Sequence, residues 1–168
     1  MNKLLSISIS LMLLCYPIVV NGSVRFKINA ERQVLVTRSS SPGTKMVRVV
    51  AYGPTTEKAI EQAMCDAVAE VLFLGAKGEG EMESVPPILK NGQAQYQTHQ
   101  KEFKNFFKKA YLNYVSRVNS TFPSGEDNIR TSKGRKVQVY LLVDWASLEQ
   151  YFREMGFQTS IEALMDFK

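Results

Sequence analysis

The sequence predicts an α+β domain of two layers, a small antiparallel or mixed sheet with helices packed on one face. Three observations carry this. Residues 46–52 are rich in β-branched side chains and residues 135–143 set Val137, Val139, Leu141 and Val143 on one face, the composition and two-residue period of strands. Residues 57–74 and 99–113 instead repeat apolar side chains at three and four, the period of amphipathic helices. The order is strand, helix, long loop, helix, antiparallel strand pair, helix, and helices sharing one sheet face would bury both stripes.

The chain opens with a leader-like segment. Lys3 gives a basic start, residues 4–20 carry no charge, and Gly22 and Ser23 offer small residues for cleavage after Gly22. That is the layout of a secretory signal peptide over residues 1–22. The competing reading is an anchored N-terminal helix; three serines and Pro17 interrupt the apolar run and disfavour a permanent span. Lipidation at Cys15 is disfavoured by the bulky Leu14 before it. Export leaves Cys65 as the single cysteine, so no internal disulfide forms and stability rests on a packed core. Of 21 basic and 16 acidic side chains only Lys3 lies in the leader, which leaves a surplus of four positive charges. So mild a surplus permits attraction to an anionic envelope surface without demanding one, and an exported address argues against nucleic acid.

Residues 23–44 read as an N-terminal hairpin or arm followed by a Ser/Pro/Gly linker. Residues 24–28 alternate, Val34 to Thr37 is the expected hairpin partner, and the run from Ser39 to Gly43 breaks the pattern. Residues 45–168 form the single α+β domain. Its first strand places Val47, Val49 and Ala51 on one face and stops at Gly53-Pro54. Thr55 or Thr56 then caps a helix whose stripe (Ile60, Met64, Ala67, Val71, Leu74) is wide and rich in small residues, so it can approach a sheet closely. Gly75 ends it. Residues 75–98 show no period; a loop of that length is a candidate partner-facing segment, with Pro86, Pro87, Asn91 and Tyr96 as contact residues. The helix at 99–113 sets Phe103, Phe106, Phe107, Tyr111 and Tyr114 on one face and Lys101, Lys104, Lys108 and Lys109 away from it. An extended stretch at 114–122, a polar loop to Gly134 and the strong strand at 135–143 follow. Asp144 caps the last helix, 145–155, which Gly156 stops.

Residues 47–74, VRVVAYGPTTEKAIEQAMCDAVAEVLFL, carry a strand ending in Ala-x-Gly, a Thr turn and a helix with alanines four apart. The positions are Ala51, Gly53, Thr55, Ala59, Ala63 and Ala67. This resembles the small domain of LPP20-type lipoproteins and the N-terminal region of flagellar assembly protein T. The phrase VLFLGAKG before an aromatic-rich helix is also similar to uncharacterised exported proteins of the Bacteroidetes type. The resemblance implies a non-enzymatic, envelope-associated module and brings no catalytic residues. A long loop and the Phe103–Tyr114 helix between the motif helix and the later strands depart from the pattern.

Candidates for chemistry are few. Cys65 and His99, the single histidine, are the only thiol–imidazole pair, and Cys65 falls at the edge of an apolar stripe where a buried thiol is the ordinary state. One histidine and one mature cysteine cannot assemble a usual zinc site. Glu79, Glu81 and Glu83 lack the spacing of a dedicated calcium loop. Gly75, Gly78 and Gly80 follow a helix, so they face its negative end rather than a phosphate-binding N-terminus. No catalytic, metal or cofactor residue is assigned. Lys104 and Lys108, together with Arg130, Lys133, Arg135 and Lys136, form an anion or partner patch if the two sets converge.

The expected function is that of a non-catalytic exported protein of the periplasm or outer membrane, acting through protein–protein contacts in an envelope assembly, with envelope proteins as partners and no transmembrane span after processing. The alternative is a secreted binding module for an anionic ligand or surface; a small secreted hydrolase ranks third. N-terminal sequencing of the exported protein is expected to begin at Ser23. A chain retaining Met1 would favour the anchored helix.

Overall fold

The computed structural model describes residues 26–28 and 30–160. The leader 1–22, its cut after Gly22 and Val24–Arg25 lie outside the described residues, as do residues 161–168.

Among the described residues six strands form one mixed sheet and four α-helices accompany it, an α+β fold. The strands are β1 (Gln33–Ser39), β2 (Thr44–Gly53), β3 (Lys77–Gly78), β4 (Val115–Arg117), β5 (Asn128–Thr131) and β6 (Gly134–Asp144). The helices are α1 (Thr56–Phe73), α2 (Gly92–Thr98), α3 (Gln100–Phe106) and α4 (Trp145–Glu154). The sheet order is β3-β1-β2-β6-β4, with β5 pairing the other end of β6. Among the described strands only β1 and β3 run parallel.

The expected strand at Val34 to Thr37 lies in β1, which pairs with β2 with a bulge between Val36 and Arg38; the described part of the expected partner, residues 26–28, is not strand. The Ser39–Gly43 stretch is therefore a hairpin turn, closed by the Ser40 amide on the Thr44 carbonyl at 3.2 Å and the Thr44 amide on Ser41 at 2.9 Å. β1 adds its buried Val34 and Val36 to the face that β2 and β6 line with Val47, Val49, Ala51, Val137, Val139, Leu141 and Val143.

Against that face lies α1. Thr55 is its N-cap, its hydroxyl accepting from the Lys58 amide at 3.3 Å. Gly53 is needed for close approach, because a Cβ there would strike the backbone of Lys58 and Ala59. Gly75, at φ 75°, stops the helix as expected. Ten side chains of α1 are buried, among them Ala59, Ala63, Ala67 and Ala69, so the helix is covered on nearly every side.

The 75–98 segment differs from the partner-facing loop expected there. Its Ile88 and Leu89 are buried, and their amides donate to the Val71 and Leu72 carbonyls at 3.0 Å each. Those carbonyls belong to the last turn of α1, which has no intrahelical donors for them. The segment also supplies β3 and, from Gly92, α2. Tyr96 is half-buried, 5.8 Å from Phe103 and 5.5 Å from Phe26 between ring centroids, and is a core aromatic. The helix expected over 99–113 breaks into α3 and a 3-10 turn at Ala110–Tyr114, yet its aromatic face is buried as the spacing requires. β5 was not legible in the polar loop where it lies.

Overpacking α1 tests this close approach. Ala63→Leu is expected to cost about 1–3 kcal/mol, whereas the exposed Leu74→Ala stays within about 0.5 kcal/mol. Urea unfolding of the two variants measures the difference; equal, small effects would overturn the helix–sheet contact as described.

Candidate functional site

The side of the sheet away from α1 is the most distinctive surface. Along β2 and β6 the outward residues are Met46, Arg48, Val50 and Tyr52, and Lys136, Gln138, Tyr140 and Leu142. The register aligns them in rows: Val50 beside Gln138, Arg48 beside Tyr140, Met46 beside Leu142. β1 extends two rows with Gln33 and Leu35. Tyr52 is 57% exposed and Tyr140 41%, while Leu35, Met46, Val50 and Leu142 are half-exposed.

A polar relay crosses the middle of this face. Arg48 pairs with Glu79 through two nitrogens and donates to Gln138 Oε1 at 2.9 Å; Gln138 Nε2 donates to Asp127 Oδ1 at 2.9 Å. The hydrogen bond to Glu79 pushes the Arg48 guanidinium further up from its usual range. The relay joins the turn after β3 to β2, β6 and the turn before β5, so the face is held in one shape by groups far apart in sequence.

Beside it, along the β1 edge, runs a groove of about 600 Å³ whose charged lining is Glu31, Arg32, Arg48, Glu70 and Lys77. Arg32 is the residue sequence reasoning missed. Its side chain is 1% exposed, with Nε 3.5 Å from Asp66 and Nη1 3.8 Å from Glu70. It also donates to the carbonyls of Lys27, Ile28 and Ala30. The guanidinium thus pins the arm to the polar side of α1, while Phe26 stacks on Phe107 at 3.9 Å. Burial raises the carboxyls of Asp66 and Glu70; Arg32, and for Asp66 the amide of Gln62 at 3.0 Å, oppose that rise. Asp66 and Glu70 were legible as the outward side of α1. Nothing local marked Arg32 as their counter-ion.

The remaining candidates separate. Cys65 is fully buried and burial pushes its thiol up to about 12, which removes the thiolate a nucleophile needs. His99 is exposed against Phe157, 4.9 Å between centroids, at the far end of α1, so the two are not brought together. Glu79 serves Arg48, and among the described residues no three His, Cys, Asp or Glu side chains group as metal ligands would. Pro86 and Asn91 are exposed and Pro87 half-buried on the segment that caps α1.

Nor do the two basic sets converge. Asn128 at the start of β5 lies 3.3 Å from Thr56, at the N-terminus of α1, which places the hairpin carrying Arg130, Lys133, Arg135 and Lys136 at that end. Phe103 of α3 packs on Phe73, the last residue of α1, at 5.1 Å, which places Lys104 and Lys108 at the other end. The 18 residues of α1 between them span about 27 Å.

The chain matches no protein-family model, no curated protein and no solved structure.

The buried cluster has a pH signature. Asp66 and Glu70 hold protons more tightly folded than unfolded, so their contribution is complete below the unfolded carboxylate range and is lost as pH rises through their raised folded values. Arg32 limits that loss. Arg32→Ala is expected to cost about 3–5 kcal/mol at neutral pH, as for a broken buried pair, and less as acid protonates both carboxyls. Urea melts across the acid range check this; a pH-independent cost would refute the pairing.

Proposed function

We propose that the chain is a non-catalytic exported protein of the cell envelope, working in the periplasm or at the outer membrane through contact with envelope proteins. The observation that carries this reading is the outer sheet face, where Leu35, Met46, Val50, Tyr140 and Leu142 stand in register around the Arg48 relay. Apolar side chains clustered around ordered polar groups suit a protein partner, which buries the first and meets the second with hydrogen bonds. The relay holds the face ready-made, so binding need not order it first.

Three further points support the reading. The leader-like pattern of residues 1–22 argues for export. The strand–Gly–Thr–helix motif resembles modules of envelope lipoproteins and flagellar assembly protein T. The described thiol, Cys65, is buried in the core on α1. No described helix is long and apolar enough to cross a membrane.

A photo-crosslinking residue at Tyr140 or Val50 of the full chain, expressed in its own envelope, tests the proposal. Discrete adducts of reproducible mass are expected at these two positions and not at Leu112, which is also exposed but lies on the helical side. Adducts of equal yield at Leu112, or none at either face position, would overturn it.

A further inference from the structure

The end of the sheet beside the N-terminus of α1 carries four cations without counter-charges. In the β5–β6 hairpin Arg130 stands directly opposite Arg135 and Ile129 opposite Lys136, with Lys133 in the turn. Like charges in that relation repel. Among the described residues none of the four side chains makes an ion pair or hydrogen bond. Of the neighbouring carboxylates, Asp127 accepts from Gln138, Glu61 pairs with Lys58, and Glu57 is held below its usual range by its own backbone and by Thr55. Glu126 is exposed in the turn before β5.

The same end also exposes apolar surface. The register sets Tyr52, Lys136 and Ile129 in one row across β2, β6 and β5, with Tyr52 57% and Ile129 46% exposed. A soluble polyanion would use the cations and have no need of this row. A lipid surface uses both, phosphates taking the cations while a tyrosine and an aliphatic side chain enter the headgroup layer.

We propose that the β5–β6 hairpin, with Tyr52, docks the domain end-on onto an anionic phospholipid bilayer. Strand alternation sets Arg130 and Arg135 on the α1 side of the sheet and Ile129, Lys136 and Tyr52 on the other, and only the end of the sheet presents both. Tyr52 and Lys136 stand on the same outer face as the contact proposed above, one row nearer the hairpin, but Leu35, Met46, Val50, Tyr140 and Leu142 take no part in this docking, so either proposal can fail without the other. Each cation near such a surface strengthens partitioning roughly fivefold at low salt, and salt weakens that share by screening. The apolar row supplies the share that salt leaves.

Vesicle co-sedimentation of the exported protein, purified as cells process it, tests the proposal. Vesicles of phosphatidylcholine mixed with phosphatidylglycerol are expected to pellet it, and phosphatidylcholine alone is not. Arg130→Glu with Arg135→Glu should cut binding at least roughly 25-fold, two cations at fivefold each. Tyr52→Ser with Ile129→Ser should lower the binding that persists in high salt. Lys104→Glu with Lys108→Glu, the same charge change at the opposite end, should retain most binding; circular dichroism verifies that each variant is folded. No pelleting with phosphatidylglycerol, or equal loss in the Lys104/Lys108 variant, would overturn the proposal. So would equal binding to soluble polyphosphate that ignores Tyr52 and Ile129, which would point to a polyanion instead.

Discussion

A helix that approaches a sheet closely enough to need alanines at four-residue spacing leaves little room for anything between them. In α1 that requirement falls on Ala59, Ala63 and Ala67, all fully buried, and on Gly53, where any Cβ would meet the backbone of the helix's first turn. Close approach fixes the helix axis relative to β2 and β6. The rest of the molecule is then arranged around α1. The arm folds over its polar side, the 75–98 segment satisfies its last carbonyls, and the aromatic side chains of α3 and α4 gather at its C-terminal end. Burial of that cluster supplies much of the non-local cohesion needed where the one described cysteine, Cys65, is free.

Covering α1 so completely has an electrostatic consequence. Asp66 and Glu70 lie on a helix side that would ordinarily face water, and the arm places them at 16% and 15% side-chain exposure. Unpaired carboxylates there would be costly, and Arg32 is the group that offsets the cost while bonding the arm's own carbonyls. One side chain therefore serves two needs, offsetting the charge of the buried acids and bonding the loop's carbonyls, while Arg32 Nε and Glu70 Oε2 are left buried without a hydrogen bond among the described residues. The opposite side of the sheet solves its charge differently: Arg48, Glu79, Gln138 and Asp127 remain near solvent and hold one another in place. The hairpin cations have no such partners. This contrast between a neutralised centre and an unneutralised end gives the surface its two characters.

Much of the architecture was legible locally. Inward valines in β2 and β6, the Thr55 and Asp144 caps, the stop at Gly75 and the aromatic face from Phe103 to Tyr111 follow from periods and cap chemistry within a few residues. Misreadings came where a segment's structure is borrowed from distant chain. Residues 75–98 have no period of their own because their order comes from β1 and from the C-terminus of α1. β5 is a strand only because β6 pairs with it. Val34 to Thr37 was recognisable as a strand, but two partners were open to it, and β2 offered a longer register and a place for Val34 and Val36 in the core.

The sequence by itself determined which segments extend or coil, which of their faces are apolar, and hence a two-layer α+β domain. It also determined that the chain has one histidine and two cysteines. Only the tertiary structure decided that Arg32 answers Asp66 and Glu70, that Cys65 and His99 stay apart, that the basic sets lie at opposite ends of α1, and which outward residues stand in a common row. The physical reason is one of range. Periodicity and capping act within one or two turns, whereas a counter-ion or a cross-strand neighbour is chosen by the packing of the whole chain, as Arg48 with Gln138 shows across 90 positions.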